Sequence, residues 1–94
     1  MITVVIKANG YLKKYFAGGE SYDVELEDGA TVGDLYDKID TLYGDGWSSS
    51  IWSRDRKNFR KPMVVRLSGD CKFNSDRKLQ DGDVLSVTRV IVGG

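Results

Sequence analysis

The chain has 94 residues, 40% of them hydrophobic and 30% charged, which suits one small domain with a modest core. It carries a single cysteine, Cys71, and no histidine, so an internal disulfide is excluded and a zinc centre or a cysteine–histidine nucleophile nearly so. Acidic and basic residues cancel overall, yet residues 1–50 hold four Lys/Arg against nine Asp/Glu, and residues 51–94 hold ten against five. Each half can therefore steer a partner of opposite charge.

The opening "MITVVIKANG" lacks the basic n-region of a signal peptide, and no apolar run approaches the ~18 residues of a membrane span. A soluble protein of the reducing cytoplasm, with no membrane partner, is expected. Residues 2–8, "ITVVIKA", are rich in β-branched side chains and predict a central strand, because both faces carry valine or isoleucine. A Gly-punctuated connection (9–19) leads to "SYDVELEDG" (21–29), where Tyr22, Val24 and Leu26 alternate with Asp23, Glu25 and Glu27. That alternation predicts a half-buried strand in a hairpin with the first.

Between 30 and 44, Val32, Leu35, Tyr36, Ile39, Leu42 and Tyr43 form one apolar stripe at helical spacing. The helix spans about 31–43, with Thr31 and Asp34 placed as a capping box and Gly44 as the residue beyond its C-terminal end. Residues 45–62 have no clean period and predict a long connection with room for a helical turn. "MVVRLSG" (63–69) is a third strand, 70–83 a polar, turn-rich return, and "VLSVTRVIV" (84–92) the last strand. The most apolar strands are the first and last, so both belong in the middle of the sheet. This order predicts an α+β protein with the ubiquitin-like β-grasp: a mixed four- to five-stranded sheet packed on one main helix. It forms one domain over 1–94 with a flexible Gly-Gly tail at about 91–94.

Two stretches carry chemistry. "VTRVIVGG" runs a strand directly into Gly93 and Gly94. A glycine pair can thread a channel too narrow for other residues. A terminal carboxylate, with a pKa of ~3.3–3.7, is ionised at neutral pH. It can attack the α-phosphate of ATP when a partner neutralises the phosphates and aligns both groups. On the residues alone, this use and an incidental ending stay open. The second stretch, 45–62, holds Trp47, Trp52, Phe59 and "RDRKNFRK" (54–61). Basic and aromatic residues so interleaved are able to bind single-stranded nucleic acid. The expectation is instead that the aromatics cap one end of the core while Arg54, Arg56, Lys57, Arg60 and Lys61 are solvated. Docking on an acidic partner is then their use, and nucleic acid is not expected. Asp81 and Asp83, flanking Gly82, predict a turn rather than a catalytic pair, and Cys71 reads as incidental.

"LQDGDVLSVTRVIVGG" (79–94) resembles the ending of the ThiS/MoaD-like sulfur carriers, which include the thiamine-pathway carrier and the small subunit of molybdopterin synthase. Leu79, Asp81, Gly82 and Asp83 match their turn, and Gly93 and Gly94 match their tail. "ELEDGATVGDLYDKI" (25–39) resembles their strand, glycine turn, Thr-Val cap and helix. The chain departs from the pattern where Arg89 and Val90 replace prolines, where Ser68-Gly69 replaces Asn-Gly, and in the aromatic, basic connection.

The resemblance implies a carrier without enzymatic activity and without a bound cofactor. An E1-like adenylating enzyme would use ATP to convert Gly94 to an acyl-adenylate. A sulfur donor would then replace AMP to leave a thiocarboxylate. A downstream sulfur-accepting synthase, such as a molybdopterin synthase large subunit, would consume that sulfur. Gly94 is the expected reacting residue, Gly93, Val92 and Ile91 fill the partner's channel, and Val90, Arg89, Thr88, Arg56 and Arg60 dock. In the last strand Leu85 and Val87 should face the core and Ser86 and Thr88 the other face. A ubiquitin-like modifier that ends on a target lysine through Gly94 needs the same tail. A binding module using 45–62 is a third reading.

Overall fold

The computed structural model describes residues 1–8, 15–16, 21–60 and 63–89, with the backbone alone at Arg89. The elements among them are β1 (Ile2–Ala8), β2 (Ser21–Leu26), α1 (Val32–Tyr43), β3 (Trp52–Ser53), β4 (Asn58–Phe59), β5 (Met63–Leu67) and β6 (Val84–Arg89). The main sheet has the order β2-β1-β6-β5. β1 and β2 pair antiparallel from Ile2↔Leu26 to Lys7↔Ser21, as a hairpin requires. β1 and β6 pair in parallel from Val5↔Val84 to Ala8↔Val87, and β5 and β6 antiparallel from Met63↔Arg89 to Leu67↔Leu85. The two most apolar strands are indeed the central ones. A four-stranded mixed sheet with one helix is the ubiquitin-like β-grasp.

α1 starts where the sequence expects it. The Thr31 hydroxyl accepts from the Asp34 amide at 3.3 Å, and the Asp34 carboxylate accepts from the Thr31 amide at 2.9 Å, closing the capping box. Val32, Leu35 and Ile39 of the stripe are buried, joined in the core by Val4, Ile6, Val24, Leu67, Leu85 and Val87. Leu42 is not: it is 51% exposed. It lies about 100° round the helix from Tyr43, and in that last turn Tyr43 is the one facing inward, stacked on Trp47 with ring centroids 5.3 Å apart.

β2 stops at Leu26, short of the expected end, because Glu27–Ala30 closes a turn (Ala30 N–H to Glu27 C=O, 3.1 Å) with Gly29 at φ 85°. β5 likewise stops at Leu67. Ser68 (φ 47°) and Gly69 (φ 87°) are both left-handed, the type I′ geometry of a two-residue hairpin, and Leu67 and Asp70 exchange backbone bonds of 2.8 and 2.9 Å across it. Gly44 is a glycine for a reason other than the expected one. Its backbone is right-handed (φ −55°), but a Cβ there would lie 2.5 Å from the Asp40 carbonyl oxygen.

The connection 45–62 differs most from its expectation. It contains a two-stranded ribbon, Trp52↔Phe59 and Ser53↔Asn58, turned through Lys57 at φ 50°. Trp47, Ile51 and Trp52 are buried together with Phe16. Phe16 meets Trp47 edge-on at 4.7 Å, and Trp52 meets Phe59 edge-on at 5.0 Å. The segment is thus an aromatic extension of the core. No helix among the described residues is long and apolar enough to cross a membrane.

Candidate functional site

The turn before β6 fixes the position of the last described strand. Leu79 is buried, and its amide donates to the Ala30 carbonyl at 2.8 Å. Asp81 Oδ1 accepts from the Thr3 amide at 2.8 Å. Asp83 accepts from the Gln80 amide and from the Ser68 hydroxyl, both at 2.8 Å, while its carbonyl accepts from the Val5 amide at 2.9 Å. Gly82 between them sits at φ 88°. Both carboxylates are therefore occupied in tying β6 to β1 and β5, and the turn reading of Asp81 and Asp83 holds.

β6 then runs up the middle of the sheet and presents two unlike faces. Leu85 and Val87 are fully buried under α1, and Ser86 and Thr88 are half-buried on the opposite face, the alternation the sequence predicts. That opposite face carries half-buried Val5 and Val84 side by side near the start of β6 and Val64 opposite Thr88 near its end, with exposed Asp23 and Glu25 on β2, exposed Lys7 on β1 and exposed Arg66 on β5. Its β2 edge is acidic and its β5 edge carries one cation.

The end of β6 lies beside the start of β5, since Met63 is opposite Arg89. The Met63 amide donates to the Arg60 carbonyl at 3.0 Å, and the Arg60 amide to the Ile51 carbonyl at 2.8 Å. The basic segment is thereby tied by its backbone to the end of the sheet at which β6 finishes. Arg56 and Arg60 are exposed and make no ion pair among the described residues. Arg60 is so brought to that end of the sheet with the Arg89 backbone, whereas Arg56 lines a groove on the helix side with Tyr36 and Asp37, and Thr88 lies on the opposite face of the sheet. Of the remaining expected site residues, Val90, Ile91, Val92, Gly93 and Gly94 lie outside the described residues, as does Lys61.

Other cations of the segment are not simply solvated. Arg54 pairs with Asp45 and, at 3.4 Å, with Asp40, and Lys57 reaches Asp37 at 3.4 Å. Asp40 Oδ1 also accepts the indole N–H of Trp52 at 3.0 Å. That hydrogen bond, aided by Arg54 and opposed by partial desolvation, holds the Asp40 carboxyl below the usual carboxylate range. Sequence reasoning missed this link, whose only signal is an acid on the helix and a tryptophan twelve residues later. The burial of Trp47 and Trp52 removes the ring faces that a single-stranded nucleic acid would stack on. Cys71 is exposed, and no cluster of three or more metal-ligating side chains occurs among the described residues.

No protein-family model matches the chain, and no curated protein sequence matches it significantly. Solved structures do share its fold along nearly its whole length. SAMP1 of Haloferax volcanii superposes with a TM-score of 0.73 at 22% identity, covering 98% of this chain and 99% of that one. Urm1 of Trypanosoma brucei gives 0.68 at 15% identity, covering 98% and 95%. One chain of the complex between subunits 1 and 2 of the molybdopterin-converting factor of Helicobacter pylori gives 0.56 at 16% identity, covering 99% and 100%. What these likenesses establish is the fold, the ubiquitin-like β-grasp.

Proposed function

We propose that the chain is a sulfur carrier that works through the carboxylate of Gly94. The observation that supports this reading is a coincidence in one chain: a fold shared with a modifier protein and a molybdopterin-converting-factor chain over nearly its whole length, with Gly93 and Gly94 four and five residues after Arg89 in the sequence. In the proposed cycle, a carboxylate oxygen of Gly94 attacks the α-phosphorus of ATP on an E1-like enzyme and pyrophosphate leaves. A sulfur donor displaces AMP from the acyl carbon, and the resulting thiocarboxylate gives its sulfur to a downstream synthase of a cofactor pathway, of molybdopterin or thiamine type. The chain supplies position rather than catalysis. The face around Val5, Val64, Val84 and Thr88 sets the docking register, and Arg56, Arg60 and Arg89 guide an acidic partner to the end where β6 finishes. Ordering each glycine on binding costs about 1–2 kcal/mol, which the docking face has to offset.

Expression beside a cognate adenylating enzyme and a sulfur source, followed by intact-mass measurement, tests the proposal. The mass of one sulfur in place of one oxygen is the expected gain.

The likeness to SAMP1, a small archaeal modifier protein, favours a second use of the same activated end, attachment to a lysine of another protein. Covalent ladders of this chain in extracts of its own cells, lost on deletion of Gly93 and Gly94, would identify that use.

A further inference from the structure

β5 is an edge of the main sheet. Its antiparallel register with β6 decides which backbone groups face outward. Ser68 donates its amide to the Val84 carbonyl at 2.7 Å, so the pairs one step away in register, Leu67↔Leu85, Val65↔Val87 and Met63↔Arg89, turn their backbone groups away from β6. The outward groups of Leu67 are taken by Asp70, and the Met63 amide by the Arg60 carbonyl. The N–H and C=O of Val65 and the C=O of Met63 remain, with no strand beside them among the described residues. A neighbouring strand could not leave them so: after the I′ turn the chain pairs once, at Asp70, and then diverges.

The divergence opens a groove of about 820 Å³ between this edge, the first half of α1 and the β3–β4 ribbon. Tyr36, Phe59, Met63, Val65 and Phe73 line it, all half-buried. The Tyr36 hydroxyl has no hydrogen-bond partner among the described residues. Burial pushes its pKa up to about 12, so it stays protonated and can donate. Asp34, Asp37 and Asp76 line the groove against Arg56 and Lys57, so the groove itself favours an apolar side chain over a carboxylate, whereas Arg66, on the other face of β5, is exposed and makes no ion pair among the described residues. The opposite edge, β2, is guarded by exposed Asp23 and Glu25, as edges that must not pair usually are. β5 has only Arg66.

We propose that the β5 edge and this groove bind an extended segment of a partner protein, as an added antiparallel strand, in which apolar residues alternate with acidic ones. The residue opposite Val65 shares its face, so its apolar side chain enters the groove, and its own N–H and C=O close two hydrogen bonds with Val65. The residues on either side point to the opposite face of the sheet, where Arg66 meets their carboxylates. The surface is built from β5, α1 and the ribbon, and the inference does not depend on the chemistry of Gly94.

The test uses the full, ¹⁵N-labelled chain and a capped heptapeptide of alternating valine and glutamate. On titration the Val65 amide should shift downfield and exchange more slowly with solvent. N-methylation of the valines removes the donor facing Val65 and should weaken binding about tenfold, whereas N-methylation of the glutamates should change it less than about twofold. Arg66→Glu should weaken binding to a similar degree and leave the melting temperature unchanged. A peptide with lysine for glutamate that binds equally well, or weakening from neither methylated set or from the glutamate set alone, overturns the proposal. So does a Val65 shift that follows protein concentration without peptide, since the occupant would then be a second copy.

Discussion

The indole N–H of Trp52 donates to Asp40 Oδ1 at 3.0 Å, joining the ribbon of the long connection to the last turns of α1. The bond favours the ionised carboxylate, whose pKa is held down in the folded state chiefly by this contact. Its contribution to stability is therefore complete above the ordinary carboxylate range, near pH 4. It is lost as pH falls through the depressed folded value. Asp40→Asn should lower the melting temperature at pH 7, and the gap to wild type should shrink as pH falls below the ordinary carboxylate range and through the depressed folded value. Thermal scans across pH check this; a gap that is constant or widens in acid contradicts it.

Gly44 makes that junction possible. Replacing glycine by alanine where the backbone is right-handed ordinarily stabilises by about 0.4–1 kcal/mol. Here the new Cβ would sit 2.5 Å from the Asp40 carbonyl oxygen and 2.8 Å from its carboxylate. Because a carbonyl of the helix backbone has to give way, overpacking wins, and Gly44→Ala should destabilise by about 1–3 kcal/mol. Denaturant unfolding decides the sign.

Much of this architecture is legible in the residues. The alternation in 21–26, the helical stripe with its Thr31–Asp34 box, and the Leu79–Asp83 turn each state their geometry locally, and the apolar character of β1 and β6 gives their central places. Residues 45–62 were not legible as structure, because strands of two residues have no period and their order comes from ring contacts with Tyr36, Tyr43 and Phe16, distant in sequence. The same holds for the β5 groove, which depends on where the chain diverges after Asp70. The candidate site divides likewise. Arg60 reaches the end of β6 through its bond to Met63 and the Met63↔Arg89 register, which no local pattern announces, whereas Val90–Gly94 are read from the sequence and its resemblance alone.

The two faces of β6 separate folding from partner capture. Val87 is fully buried, so Val87→Asp should cost at least about 3 kcal/mol and lower expression of folded protein. Thr88→Asp, on the opposite face, should cost no more than about 1 kcal/mol. It should nonetheless weaken capture by the adenylating enzyme at least tenfold. Paired melting curves and pull-downs on the two variants make the comparison; equal loss of stability would contradict the assignment of faces.

Arg56 and Arg60 are expected to act on the rate of encounter. Changing both to Glu should slow association with an acidic partner about tenfold at low salt and flatten its dependence on ionic strength, with little change in dissociation. Stopped-flow binding at several salt concentrations reads both effects. Unaltered salt dependence would remove these arginines from the docking surface.

The most direct test of the carrier reading adds one alanine after Gly94. This moves the carboxylate about 3.5 Å further along an extended chain. A displacement of ~1 Å can already cost on the order of a hundredfold in a positioned reaction. The added residue lies beyond every described strand, so the melting temperature should not change. Intact mass after expression with the adenylating enzyme and a sulfur source is the measurement. The account predicts sulfur for oxygen in the wild type and none in the extended chain; equal sulfur uptake by both, or none by the wild type, would contradict it.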